Sequence, residues 1–230
     1  MPVYNEVQTL EEALRRVRSV RLPKEIIVVD DGSTDGSQEL LKRLEAEAGR
    51  GEDPFNRLKT LFQPFNQGKG AAIRLALRHV TGDIVIIQDT DLEYDPQDYM
   101  KLLDPILAGQ ADVVYGTRFY GGGPHRVLFF WHFLGNQILT LFSNILTNLN
   151  LSDMEVGYKV FRAEVLRSIE IKSSRFGFEP EITVKMAKKR CRIYEVPISY
   201  YGRTYREGKK ITWKDGIAAF YYLVRFWLKD

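Results

Sequence analysis

The chain has 230 residues, room for one domain with a full core, and its apolar share of 44% and charged share of 27% are those of an ordinary globular protein. A net charge of +3 is too mild to argue for nucleic acid, though it suits a phosphate ligand or an anionic membrane surface. The single Cys191 excludes an intramolecular disulfide and fits a reducing compartment; no secretory leader and no uninterrupted apolar run of about 18 residues is present to read as a membrane span.

In chain order, Pro2-Val3-Tyr4-Asn5-Glu6 leads into a helix over 6–19 carrying Val7, Leu10, Leu14 and Val17, with Asn5 and Gln8 at the spacing of a capping box. An apolar strand over 25–30 ends in Asp30 and Asp31. Gly32 then supplies a backbone conformation other residues avoid, and Asp35 stands as the cap of a helix over 36–48. Residues 48–56 read as a loop and 58–62 as the next strand. Asn66-Gln67-Gly68-Lys69-Gly70 opens a helix over 69–80, where backbone N–H groups and Lys69 suit phosphate oxygens.

The run 83–88 reads as a buried strand and ends in Asp89-Thr90-Asp91. Two carboxylates one residue apart repel each other and need a cation or a proton to coexist. They stand at the C-terminal end of a strand, where open α/β sheets bind ligands, and hard oxygen donors suit Mg²⁺ or Mn²⁺. Asp95-Pro96 caps a helix over 97–108, and a strand over 112–116 delivers Arg118 to the same sheet edge, where a guanidinium fork suits a phosphate monoester. Alternation of this kind means a mostly parallel sheet with helices on both faces.

Gly121 to Pro124 break the chain. His125 and Arg126 follow as weaker phosphate candidates, ahead of an aromatic stretch. Residues 127–151 read either as a pair of core helices or as amphipathic helices in a membrane interface, and Phe129 to Phe133 favour the second. The basic stretch 203–210 is a candidate lid over a diphosphate or over lipid headgroups. The run 213–228 is apolar around nearly its whole circumference, so it is expected to dock on the sheet, to dimerise, or to enter the interface with Arg225 and Lys229 snorkelling. No histidine spacing suggests a metal site, no Ser-His-Asp or Cys-His arrangement stands out, and Gly68-Lys69-Gly70 lacks the rest of a dinucleotide fingerprint, so hydride transfer is not expected.

The motifs P-V-Y-N-E, V-V-D-D-G-S-T-D-G, N-Q-G-K-G-A-A and Q-D-T-D-L-E-Y-D-P resemble, in content and order, glycosyltransferase family 2 with its GT-A fold. In the second half, G-T-R-F, L-G-N, D-M-E-V-G-Y-K-V-F and Y-G-R-T-Y resemble the polyprenyl-phosphate (dolichyl-phosphate) mannosyl- and glucosyltransferases. The resemblance implies a single Rossmann-like α/β domain over 1–230: a nucleotide-sugar half over 1–116, an acceptor half over 117–212 and a C-terminal apolar helix over 213–228.

It also implies roles. Pro2, Tyr4, Glu6, Asp30 and Asp31 hold the nucleoside. Asp89 and Asp91 serve the ribose or diphosphate and the metal. Glu93, often Gln in the mannosyl enzymes, completes the metal shell. Lys69 and the basic loop stabilise the leaving diphosphate. Apart from the resemblance, the residues themselves offer Arg118, Arg126, Arg203, Arg206 and Lys209 to the acceptor phosphate, and Asp153 to sugar hydroxyls or the acceptor pocket. The catalytic set is then Asp89, Asp91, Arg118 and Arg203.

The reaction expected is inverting transfer of mannose or glucose from GDP-mannose or UDP-glucose to dolichyl or undecaprenyl phosphate. The enzyme would lie peripherally at the cytoplasmic face of a membrane, with a homodimer or a separate membrane subunit as further partners. A phosphate monoester is largely dianionic at neutral pH and needs no strong base, which fits a chain with no compelling base. Left open are a saccharide acceptor, a nucleotidyltransferase, and a nucleotide-sugar-binding module without turnover. One departure stands out: only Met1 to Val3 precede the first turn, where the family has a full strand between those at 25–30 and 83–88. A truncated first strand is expected to leave both neighbours without hydrogen-bond partners.

Overall fold

The computed structural model describes residues 1–49, 53, 55–119, 126–127, 129–175, 177–204, 207–208 and 213–229. His125, Arg206 and Lys209, three of the expected phosphate contacts, lie outside the described residues.

Strands β1 (Pro2–Val3), β2 (Lys24–Asp30) and β3 (Asn56–Phe62) form one parallel sheet in that order. Helices α1 (Val7–Ser19) and α2 (Ser37–Ala48) connect them. Helix α3 (Lys69–Leu77) leads to the second sheet, ordered β4 (Ile84–Ile86), β6 (Lys159–Arg162), β5 (Val113–Thr117) and β7 (Ile193–Pro197). Within it β6 runs antiparallel to both neighbours, while β5 and β7 are parallel. A 3₁₀ turn (Pro96–Asp98) and α4 (Tyr99–Leu107) precede β5, α5 (Phe130–Thr147) and α6 (Ala163–Arg167) flank β6, and α7 (Phe178–Lys188) and α8 (Trp213–Lys229) complete the chain. Tyr115, Tyr158, Phe161, Phe178 and Phe226 are the large fully buried groups of the core.

The helices and strands expected in the first 116 residues all form, with α3 ending at Leu77 and β4 limited to 84–86. The first strand is short but paired. Met1 N donates to Ile27 O at 2.8 Å, and Val29 N and Asp31 N donate to Met1 O and Val3 O at 2.9 and 2.8 Å. Thus β2 keeps its partner, which corrects half of the expectation. The other half takes a different form: β4 pairs with β6 rather than with β1.

The cap of α1 falls at Glu6 rather than at Asn5. The amides of Glu6 and Val7 are instead satisfied from the β2–α2 loop, by Ser37 Oγ at 3.2 Å and Asp35 Oδ2 at 3.0 Å. Asp35 Oδ1 also accepts Ser37 N at 3.0 Å, so one carboxylate caps two helices. Asn5, at φ 52°, turns its Oδ1 to Thr34 N at 2.8 Å and holds that loop in place. Asp95 caps as expected, accepting Gln97 N at 3.0 Å.

Residues 127–151 contribute one helix, α5, rather than a pair. It packs with α7 and α8, and the Phe142 and Phe220 rings stand 5.2 Å apart. Only one face of α8 is buried, through Ala219, Leu223 and Phe226. Ile217, Tyr221, Val224 and Leu228 form an exposed stripe at helical spacing, and Trp131, Ile138, Leu141 and Ile145 do the same on α5.

Candidate active site

The C-terminal ends of β2 and β4 bring the motif residues together. Asp31 Oδ1 accepts Gln67 N at 2.7 Å and Gln63 Nε2 at 3.0 Å, and its Oδ2 accepts Gly68 N at 2.7 Å. It therefore clamps the loop before α3 onto the end of β2. Asp30 Oδ1 accepts Ser33 N at 2.9 Å, while its Oδ2 is buried without a hydrogen-bond partner among the described residues. A buried carboxylate oxygen left in this state is costly unless a ligand supplies the donor. Tyr4 is partly exposed, and Pro2 O receives Thr90 Oγ1 at 3.4 Å across the gap between the sheets.

Lys69 Nζ, at the N-terminus of α3, lies 3.0 Å from Asp89 Oδ1 and 2.9 Å from Glu179 Oε1. It is an ion-paired group in this state rather than an open phosphate ligand. Asp91 Oδ1 accepts Glu93 N at 3.1 Å. Burial first, then Asp89 and Glu93, push the Asp91 carboxyl up to about 7. A loop carboxylate disfavoured in its charged form by two others is a place where a cation lowers the energy. Gly157 borders the pair so closely that a Cβ would lie 2.4 Å from Asp89 Oδ2.

Glu93 departs from its expected place in a metal shell. Its Oε1 accepts Arg203 N at 2.8 Å, its Oε2 accepts Tyr200 OH at 3.0 Å, and its carbonyl accepts Tyr201 N at 2.8 Å. It fastens residues 200–203 over the aspartates. Arg203 itself sits among carboxylates, with Nη2 3.2 Å from Glu6 Oε1 and 3.6 Å from Asp91 Oδ2. Glu6 is therefore engaged with Arg203 rather than open toward a nucleoside. Among the described residues no three acidic, histidine or cysteine side chains converge as a ready metal cage. Asp89 and Asp91 still fit a hard divalent cation, as two acidic oxygen donors whose remaining partners a diphosphate would supply.

Arg118 and Asp153 also differ from expectation. Arg118 Nε and Nη2 each donate to Asp153 at 2.6 Å, and Asp153 is fully buried, with Asn136 Nδ2 at 3.3 Å. Asp153 is the counter-ion of the guanidinium and does not line an open pocket. Beyond Asp153, the guanidinium also interacts with the Tyr200 hydroxyl and faces the Tyr200 ring at 5.2 Å. Arg126 Nη1 bonds Gly202 O at 3.0 Å and Glu207 Oε2 at 2.9 Å, so it ties the segment before α5 to the basic loop.

The motif reading missed Glu179, Glu155 and Lys159. Lys159 is fully buried, donating to the carbonyls of Met154 and Val156. Its signal was a lysine inside the apolar run Tyr158 to Phe161. Glu155 Oε1 is buried without a hydrogen-bond partner among the described residues. Burial first, then Glu179, push the Glu155 carboxyl up to about 8. The unfolded chain releases that proton near the ordinary glutamate value, so the native state binds more protons between roughly pH 4.5 and 8. Stability from this group is present at low pH and is lost as pH rises through that window. Glu155→Gln should melt like the wild type near pH 5 and several degrees above it at pH 8; parallel Tm curves across that range would refute this.

The chain is similar to one family, to three relatives and to two solved structures as follows. The family Glycosyl transferase family 2 matches residues 1–169. An undecaprenyl-phosphate mannosyltransferase of Micrococcus luteus is 31% identical over 218 residues, 91% of this chain and 85% of that protein. The glycosyltransferase AglJ of Haloferax volcanii is 30% identical over 88% of this chain and 62% of its own length. The low-salt glycan biosynthesis hexosyltransferase Agl6 of the same organism is 28% identical over 88% of this chain and 47% of its own. Among solved structures, glucosyl-3-phosphoglycerate synthase from Mycobacterium tuberculosis in complex with Mn²⁺, UDP and phosphoglyceric acid superposes with a TM-score of 0.70 at 20% identity, covering 98% of this chain and 76% of that one. Its complex with Mn²⁺, UDP-glucose and phosphoglyceric acid gives 0.69 at 20% identity, over 98% and 77%. That likeness shows the GT-A fold.

Proposed function

The chain belongs to glycosyl transferase family 2, and from that footing we propose that it moves a hexose, mannose or glucose, from GDP-mannose or UDP-glucose to a polyprenyl phosphate at the cytoplasmic face of a membrane. The observation that carries the reading is the Asp89 and Asp91 pair, flanked by Lys69 and Arg203 where the two sheets meet. The mannosyltransferase relative's name supports the lipid phosphate acceptor.

In this reading the free Asp30 Oδ2 accepts a base N–H, and Tyr4 and Pro2 line the nucleoside. Asp89 and Asp91 hold a divalent cation, Mg²⁺ or Mn²⁺. A cation held there would supply positive charge to offset that of the nucleoside diphosphate leaving group. Lys69 and Arg203 add positive charge at the same place. An acceptor phosphate oxygen forms its bond to the anomeric carbon as the bond from that carbon to the diphosphate oxygen breaks, which inverts the centre. The phosphate arrives already dianionic, so no residue need take a proton. Asp153, held by Arg118, is not available as the base that a saccharide acceptor would require.

The test is a panel of UDP- and GDP-sugars with a short polyprenyl phosphate, followed by mass analysis of the lipid and of the released nucleotide. A glycosylated lipid with nucleoside diphosphate supports the reading. Pyrophosphate release would make the protein a nucleotidyltransferase, sugar transfer only to saccharides would replace the acceptor, and binding without turnover would make it a binding module.

No helix among the described residues is long and apolar enough to cross a membrane. The exposed stripes of α5 and α8 supply apolar surface for lying on one, with Trp131 76% exposed and Ile145 69% exposed. The protein should sediment with anionic vesicles at low salt and be released as salt rises. Retention in the supernatant, with a stable dimer in solution or complex formation with a membrane subunit, would assign the stripes to a protein partner.

A further inference from the structure

Helix α7 begins Phe178-Glu179-Pro180-Glu181, outside every motif that marks the donor site. Its two acids nevertheless reach that site by different routes. Glu181, fully buried, accepts the amides of Lys172 and Ser173 at 2.7 and 2.6 Å and pairs with Lys185 at 2.6 Å. That shapes the segment 171–174, whose carbonyls support the opening of α3. Ala71 N donates to Ser174 O at 3.1 Å, and Arg74 Nη1 donates to Ile171 O and Ser173 O. The contact is so close that a Cβ on Gly68 or Gly70 would fall 2.3 Å from Ser174 O or Ser173 O. Glu181 thus acts on the loop backbone, while Glu179 acts on its charge: its side chain is 7% exposed and reaches Lys69 Nζ at 2.9 Å.

Lys69 has two carboxylate partners, Asp89 and Glu179, and the three together carry a net negative charge. If Asp89 were the only partner, the two would neutralise each other and Asp89 would be held back from a cation. An ammonium abandoned by Asp89 in this nearly buried position would also be an unpaired charge, which is strongly unfavourable. We infer that Glu179 is a positioning residue of the donor site, keeping the Lys69 ammonium paired and in place while Asp89 turns to the divalent cation and diphosphate. The inference rests on the donor reading above and acts through Lys69.

Mn²⁺ binding in the presence of UDP or GDP, followed by electron paramagnetic resonance and calorimetry without any acceptor, tests it. Glu179→Gln should weaken Mn²⁺–nucleotide binding about tenfold or more, on the scale of one charge-assisted contact. In a Lys69→Met background the same change should alter affinity less than about twofold, because the group it acts through is gone. A lowered Tm with unchanged affinity, or an equal loss in both backgrounds, overturns the inference. If Glu179→Gln does not fold, Glu179→Asp, which keeps the charge and falls a methylene short, is read for the same sign. A wild type that binds Mn²⁺ with neither nucleotide overturns the donor reading itself.

Discussion

Exchange of Asp91 for asparagine is expected to lower hexose transfer at least about a hundredfold, near 2.7 kcal/mol of transition-state stabilisation, and removal of divalent cations by a chelator to abolish it. The amide keeps the side-chain shape and removes the charge that a cation would bind. Its effect on the fold runs the other way. Asp91 is held near 7 by burial and by Asp89 and Glu93, above its unfolded value. Its contribution to stability is therefore present at low pH and lost as pH rises toward 7. At pH 7.5 the asparagine variant should melt no lower than the wild type. A large loss of turnover at undiminished Tm separates chemistry from folding. Full activity in chelator, with Asp91→Asn unaffected, would remove the aspartates from the reaction.

Arg118→Ala should be among the most destabilising single changes in the molecule. It leaves the Asp153 carboxylate, fully buried, without the guanidinium 2.6 Å away. Breaking a buried pair from one side costs about 3–5 kcal/mol. For a chain of this size that is a fall in Tm of about 6–20 °C in a thermal melt. Lysine at the same position should recover only part of the loss, since a point charge cannot make the two parallel bonds of the fork. Lost turnover in Arg118→Ala therefore does not by itself identify the acceptor phosphate site. An alanine variant that melts with the wild type would show that Asp153 finds another partner.

The pattern of apolar runs and turn residues was enough to order the first half of the fold, because each βα unit there is local and its strands are continuous in sequence. Strand β6 escaped: four residues with Lys159 among them do not announce a strand, and nothing local says that it runs antiparallel between β4 and β5. Helix α7 escaped because its polar residues Glu179, Glu181, Thr183 and Lys185 fall at every second position, a strand's period, and only the fold shows that Phe178 to Met186 are all buried in a helix. In the site, the motif residues were locatable but their engagements were not. Lys69 and Glu179, or Glu6 and Arg203, meet only through tertiary structure. Read singly, Arg118 and Asp153 look like two available groups, and in the fold each neutralises the other.

The two sheets share no backbone ladder among the described residues, since β1 pairs only with β2 and β4 only with β6. Side chains cross the seam between them at Thr90 to Pro2, Lys69 to Asp89, and Arg203 from Glu6 to Asp91, and at the far end Glu25 of β2 accepts the amides of Thr81 and Gly82. The first three of these crossings involve residues of the proposed donor site. A ligand gripped by Asp30 on one side and Asp89 on the other would act as a mechanical brace between the two halves, and its affinity would be felt as rigidity of the whole molecule. By mass action, donor at a hundred times its Kd would add about 2.7 kcal/mol to the folded state.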